Sequence, residues 1–447
     1  MKKKKITQVF ERAGWVVEIF KIQVKHNIYQ LINIGSNNMK YKKSLLFICL
    51  IICLFSIASV CASEVNETLV ASEDQSDELN VIEDMCAEEN NIACIEENTD
   101  EFLKTSNNND VLSSSYDNFA QLNTTLQNAE SNSTINLIQN YAYVGGSIDK
   151  NYSNGIIIDK PITIDGNGHI IDGKNNARIF NIVSDNVILK NLKFKNGVFI
   201  TNDKFEDSRG GAIYWKGNYG SLINCTFENC NFKTNYVFYP NQEYYLDFKG
   251  GAVYWSGNNN SIENCIFNGI NLDRNLKNGI CTTYGAALYL DSTNTTISSC
   301  EFLNCHSCGD MGYGGAIYTS GAVITNSKFI NNNATTAGGS IYSIGDDDLI
   351  SSCIFEENAA PSGGVIYCKG KKCTILNSNF TKNRASYNCV VYGEQNGVIF
   401  NSTFKNNIAN FSEVFFKKSI NVKNTTALSN DEFSILINTI ACWSINS

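Results

Sequence analysis

One five-residue landmark, Gly-Gly-small-aliphatic-Tyr, returns down most of the chain and limits what it can fold into. It stands at Gly210–Tyr214, Gly250–Tyr254, Gly285–Tyr289, Gly314–Tyr318, Gly338–Tyr342 and Gly363–Tyr367, then in degraded form at Asn388–Tyr392 and Ser412–Phe416. A second landmark alternates with it. This is a phenylalanine preceded three places earlier by Asn or Ser and five places earlier by Leu or Ile, at Phe194, Phe227, Phe267, Phe302, Phe329, Phe355, Phe380 and Phe404. The last four are 26, 25 and 24 residues apart. A unit of about 25 residues with two or three strands cannot bury its apolar side alone, so it must stack on copies of itself. Equivalent positions then sit one strand spacing apart, about 4.8 Å, in a parallel ladder.

The pattern predicts an all-β chain, a single-stranded right-handed parallel β-helix of about ten coils, of the order of 50 Å long. Each repeat phenylalanine is expected to stack on the next inside the tube. Asn191, Asn224, Asn264, Asn326, Asn377 and Asn401 fall at a turn, where Asn tolerates left-handed backbone and can bond its stacked copy. Gly-Gly permits another tight turn. A β-propeller needs blades of about 40 residues, and leucine-rich repeats need a leucine signature that is absent. The open N-terminal end of such a solenoid would invite edge pairing. Ser115–Ala129 places Phe119, Leu122, Leu126 and Ala129 on one helical face, an amphipathic helix suited to cover that end.

Charge divides the rest. Residues 1–62 carry a net +8, residues 63–110 carry −14 and the remainder −3. Residues 39–62 combine the basic stretch Met39–Lys43, the apolar run Leu45–Val60 and the small residues Cys61 and Ala62, which reads as an export signal, with an uncleaved membrane anchor as the alternative. Residues 1–38 then form a leader extension or precede the natural start at Met39. Residues 63–112 read as an acidic, self-repelling spacer, 113–430 as the β-helix with its capping helix, and 431–447 as a C-terminal cap or tail. Export places the protein outside the cell or on its surface. Three histidines leave little for a histidine-built metal centre, and five arginines argue against a nucleic-acid partner.

Gly-Gly-Ala-Ile alternating with Phe-x-x-Asn, at Phe329–Asn332, Phe355–Asn358, Phe380–Asn383 and Phe404–Asn407, resembles the repeats of chlamydial polymorphic outer membrane proteins. The whole layout, with signal, acidic spacer, helix and opening coil Ile162–His169, is more similar to the adhesin-like surface proteins of methanogenic archaea. That resemblance covers residues 113 to about 426. It implies a pectate-lyase-like solenoid on the surface of an archaeal cell, and its motifs specify fold strongly and ligand hardly at all.

The lateral connection from each phenylalanine to the next glycine landmark runs 16, 23, 18, 12, 9, 8, 8 and 8 residues. The long loops 198–209, 231–249, 271–284 and 306–313 are therefore expected to lie side by side as one protruding face, and loops on a rigid scaffold carry binding. Loop 231–249 holds Phe232, Tyr236, Phe238, Tyr239, Tyr244, Tyr245 and Phe248, suited either to sugars and protein partners or to a private mini-core folded over the coil. Tyr236, Phe238, Tyr239, Tyr244 and Tyr245, with Arg209 and Asp247, are the expected binding residues for an extracellular glycan or surface protein. No catalytic residue, metal ligand or cofactor is assigned. The competing enzyme reading is a polysaccharide lyase or hydrolase built on Asp203, Glu206, Asp207, Glu243, Asp247, Asp273 and Asp310 with Arg209 and Arg274, with Ca²⁺ as a possible partner. A purely structural envelope component is the third reading.

Cys225, Cys265, Cys300 and Cys353 occupy a site that takes Ser327, Ser378 and Ser402 in other coils, so it selects for small size and predicts buried thiols, with disulfides between neighbouring coils as the alternative. Cys305 and Cys308 have a Cys-x-x-Cys spacing, weak evidence for zinc in a single copy. Asp346, Asp347 and Asp348 are expected in a turn between coils, and His169 in a glycine-bounded turn. Asn-x-Ser/Thr sites at Asn66, Asn123, Asn151, Asn259, Asn294, Asn333, Asn410 and Asn424 would allow glycosylation on export.

Overall fold

The computed structural model describes residues 116–201, 208–234, 245–273 and 280–428. The signal, the leader, the acidic spacer and the C-terminal segment 431–447 lie outside the described residues. No described helix is long and apolar enough to cross a membrane.

The chain winds as a right-handed parallel β-helix. Three long sheets wall the tube, and every strand pair in them is parallel. Among the described residues the phenylalanine sheet has twelve strands, from Asp117–Asn118 to Thr426–Leu428. The tyrosine sheet has ten, from Asn154–Ile158 to Ser412–Phe416, and the third sheet has eleven, from Thr134–Asn136 to Ser419–Lys423.

Within each sheet the two-residue side-chain period sorts the sequence into inner and outer positions. The repeat phenylalanines point inward in strict register, Phe227 opposite Phe267, Phe267 opposite Phe302 and Phe302 opposite Phe329. From Phe194 to Phe404 the eight rings are completely buried and stack at centroid separations of 4.5 to 4.9 Å. The expected internal column exists. At the corner between the tyrosine and third sheets, Trp215 stacks on Trp255 at 4.0 Å.

The turns follow from the residues that occupy them. Asn191, Asn224, Asn264, Asn326, Asn377 and Asn401 all have positive φ, between 46° and 55°, and Asn224 Nδ2 donates to Asn191 Oδ1 at 2.8 Å as Asn401 does to Asn377 at 2.9 Å. The two glycines of the landmark have different jobs. Gly338 needs a left-handed backbone, with φ of 66°. Gly339 needs the absence of a side chain, because a Cβ there would meet the Gly364 carbonyl oxygen of the next coil at 2.1 Å.

The capping helix runs Phe119–Asn128, shorter than the expected Ser115–Ala129. Asn118 stops it at the N-terminus through a capping box, its side chain accepting from Gln121 N while Gln121 returns the bond to Asn118 N. Phe119, Leu122 and Leu126 are buried against the first coils. The buried carboxylate of Asp149 accepts from the N–H groups of Phe119, Ala120 and Val144, tying the helix start to the tube.

The cysteines follow the expectation with one exception. Cys225, Cys265, Cys300 and Cys353 are buried thiols, and burial pushes the Cys353 thiol up to about 12. Cys368 and Cys373 instead form a disulfide within one coil, across the turn between the tyrosine and third sheets. Asp348 also departs from expectation: it is the inward-facing first residue of Asp348–Ser351 and is 3 % exposed. His169 does sit in a turn, its Nδ1 3.3 Å from Asn140 Oδ1.

Candidate functional site: a lateral aromatic face

Where the connection from the phenylalanine sheet to the tyrosine sheet is long, it forms strands of its own. Ser208–Arg209, Tyr245–Lys249, Ile280–Tyr284 and Met311–Tyr313 make a four-stranded parallel lateral sheet, and Val198–Thr201 pairs with Asn231–Thr234 beside it. The long loops therefore do stack side by side at their roots, because the coils beneath them are in register.

The expected binding residues divide into two groups. Tyr236, Phe238, Tyr239 and Tyr244 lie outside the described residues, as do Asp203, Glu206, Asp207, Glu243 and Arg274 of the enzyme reading. Arg209, Tyr245 and Asp247 all stand on the lateral sheet. Tyr245 is 63 % exposed, Asp247 forms an ion pair with Lys249 at 3.3 Å, and Lys249 is the strand partner of Arg209. The mini-core expectation also holds in part: Phe232 and Phe248 are buried and stack on each other at 5.4 Å.

The residue before each glycine landmark forms its own column. Arg209, Lys249, Tyr284 and Tyr313 are successive register partners, and isolated bridges continue the line through Ala337 to Ser362. Next to it runs the tyrosine of the landmark itself. In the strand Ile317–Thr319 the flanking side chains point into the tube, so Tyr318 points out. Tyr214, Tyr254, Tyr289, Tyr318, Tyr342, Tyr367, Tyr392 and Phe415 thus make an outer aromatic column with centroids 4.8 to 5.6 Å apart. Neither Tyr284 nor Tyr313 nor this column was singled out from the sequence as a site. The signal was present: Tyr recurs at an outward position where solubility alone would favour a polar residue.

Partial burial against neighbouring rings, assisted by nearby carboxylates, pushes the Tyr254, Tyr284 and Tyr318 hydroxyls up to about 12 and raises Tyr289, Tyr342 and Tyr367 as well. These six hydroxyls are thus neutral and hydrogen-bond competent at any physiological pH. Tyr367 Oη donates to Glu394 Oε1 at 2.6 Å, and Tyr254 Oη to Asp291 Oδ2 at 3.5 Å. Cations decorate the N-terminal part. Arg209 lies over Tyr254 at 5.3 Å, Lys216 over Tyr214 at 5.0 Å and Lys249 over Tyr284 at 5.9 Å. Arg178 is a scaffold cation, buried, donating to the Arg209, Gly210 and Asn154 carbonyls. Among the described residues no group of three His, Cys, Asp or Glu side chains converges to hold a metal ion.

No protein-family model matches this chain, and no curated protein matches it significantly in sequence. Among solved structures it is similar to a mannuronic acid-specific polysaccharide family 6 lyase from human gut microbiota, at 12 % identity over 68 % of this chain and 82 % of the lyase, with a TM-score of 0.29. Superposition that loose carries nothing about the site.

Proposed function

We propose that this protein is an adhesin-like, non-catalytic surface module that holds an extracellular glycan or a surface protein on its lateral face. The observation that supports this is the alignment of Arg209, Lys249, Tyr284 and Tyr313 in one register line beside the outer tyrosine column. Half-buried aromatic rings with fixed hydroxyls give contact area at little entropic cost, which is how binding surfaces gain affinity. The rigid tube beneath keeps them in place without a ligand. Residues 39–62 fit an export signal that would bring the module to the cell surface.

The test is a glycan array and a cell-adhesion assay with three proteins: the full chain, a variant with residues 235–244 replaced by a short Gly-Ser linker, and Tyr284→Ala combined with Tyr313→Ala. Binding that is lost in either variant supports the module. Release of unsaturated or reducing sugar ends from a polysaccharide panel would instead support the lyase or hydrolase reading. Cell fractionation with and without residues 39–62 tests export.

A further inference from the structure

The two ends of the tube are finished differently. At the N-terminal end the helix Phe119–Asn128 lies over the first coils, with Phe119, Leu122 and Leu126 buried beneath it. At the other end, Ser412–Phe416, Ser419–Lys423 and Thr426–Leu428 are the last rungs of the tyrosine, third and phenylalanine sheets among the described residues. An edge strand leaves its outer row of backbone donors and acceptors for a further strand to pair. The core is open at the same place. Ile420, Val422 and Ala427 pack against the core but are only partly buried, whereas Ile399 and Phe404, the register partners of Val422 and Ala427 one coil earlier, are completely buried. Residues 429–447 follow directly, and their sequence keeps the rhythm of the tube. The last described step is 23 residues in each of the three sheets, pairing Val391 with Val414, Ile399 with Val422 and Phe404 with Ala427. Taken once more, that step carries the inward positions Val414, Ile420 and Val422 to Ile437, Trp443 and Ile445, and the outward positions Phe415 and Asn421 to Asn438 and Ser444. A third line agrees. The backbone N–H groups of Asn332, Asn358 and Asn383 each donate to the side-chain oxygen of the asparagine one coil on, ending at Asn407, and the same step sends Asn407 to Asn430.

We infer that residues 430–446 dock on this end as a further, partial coil, with Ile437, Trp443 and Ile445 turned into the tube over Val414, Ile420 and Val422. The occupant is the chain's own continuation and not a second copy. Its step and its alternation of inward apolar and outward polar residues are those of the tube itself, and the helix Phe119–Asn128 covers the end by which another copy would stack head to tail. Docking pairs the edges of the tyrosine and third sheets and covers the open core, which keeps the tube from joining others edge to edge. The inference is independent of what the lateral face binds.

The experiment is hydrogen exchange of the full chain read by mass spectrometry. Ser412–Phe416 and Ser419–Lys423 are expected to be protected as well as Cys389–Gly393 and Asn396–Phe400, the strands one coil earlier. Trp443→Asp with Ile445→Asp puts charge at inward positions and should speed exchange in the two edge strands about tenfold, while the coils of Phe267, Phe302 and Phe329 stay protected and report that the tube is folded. Asn438→Asp with Ser444→Asp puts the same charge at outward positions and should change nothing. The difference in emission between the wild type and Trp443→Phe isolates one indole, which should be blue-shifted and shielded from acrylamide. Light scattering at two concentrations identifies the occupant, a monomer that keeps its protection on dilution being the expected result. The inference is overturned if the edge strands of the wild type exchange freely, if inward and outward charges act alike, or if protection belongs to a dimer and is lost on dilution, which would make a second copy the occupant.

Discussion

Asn358 donates its side-chain N–H to Asn383 Oδ1 at 3.0 Å and, with its other hydrogen, reaches the Phe329 carbonyl at 2.8 Å. Its own Oδ1 accepts both the backbone N–H and the Nδ2 of Asn332, at 2.9 and 3.0 Å. Asn332, Asn383 and Asn407 repeat the pattern, so a column of amides runs beside the phenylalanines with its polar groups satisfied by adjacent coils. Asn332, Asn358 and Asn383 are completely buried.

Removing one rung therefore strands several groups at once. Asn358→Ala leaves the backbone N–H and one side-chain N–H of Asn332 without partners, at about 1–3 kcal/mol for each orphan. A loss of at least about 3 kcal/mol is expected in urea denaturation. Asn358→Cys should not rescue it, although Cys305 fills the equivalent place one coil before Asn332. An unchanged unfolding midpoint for either variant would count against the column as a structural element.

Phe302→Ala should cost about 3–5 kcal/mol, because the ring is completely buried between Phe267 and Phe329 and its neighbours belong to rigid ladders that cannot close the gap. Phe302→Leu, closer in volume, should cost less than half of that. The same urea titration ranks the two, and equal losses would contradict tight stacking.

The internal column was legible before any coordinates because its period is strict and its residue type unmistakable. The turn asparagines, the glycine pairs and the side-by-side loops were equally readable, since each depends on local backbone chemistry repeated at fixed offsets. The outer tyrosines were visible as letters but not as a surface. Their placement follows only once Ile317 and Thr319 are known to face inward. Tyr284 and Tyr313 were harder still, because their alignment depends on lateral strands of unequal loop length that meet in register only after the coils have stacked. Disulfide pairing of Cys368 with Cys373 had no comparable signal, as most other cysteines here serve as small buried residues.

Acid should stabilise this protein through Asp348 and Glu413. Burial pushes the Asp348 carboxyl up to about 6, with Asp346 and Asp347 adding to the rise, and burial pushes Glu413 up to about 7. Asp348 Oδ1 accepts from Ala322 N at 3.2 Å, while its Oδ2 and Glu413 Oε2 make no hydrogen bond. Both groups are more easily protonated folded than unfolded, so their stabilising contribution is present below about pH 4 and is lost as pH rises through 6 and 7. At one pKa unit per about 1.4 kcal/mol, Asp348 accounts for about 3 kcal/mol of that change. Asp348→Asn should raise stability at pH 7.5 and flatten the dependence between pH 4 and 7, measured as urea midpoints across the range. A wild-type midpoint that climbs with pH over that interval would refute this.

The disulfide closes a very short loop, and constraining it stabilises by about 2 kcal/mol in the chain-entropy picture. Cys368→Ser with Cys373→Ser should lower the unfolding free energy by about that amount without affecting glycan binding. Loss of binding in this variant would place the bridge closer to function than its position at the far corner of the tyrosine sheet suggests.

Each winding is hydrogen-bonded only to the winding above and the winding below, and the outer tyrosine column crosses several of them. Duplicating or deleting one unit of about 25 residues would therefore lengthen or shorten the recognition strip by a single step while leaving its chemistry intact. A lineage carrying such a gene can adjust the length of ligand it grips by recombination alone, the way a ruler is extended by adding graduations.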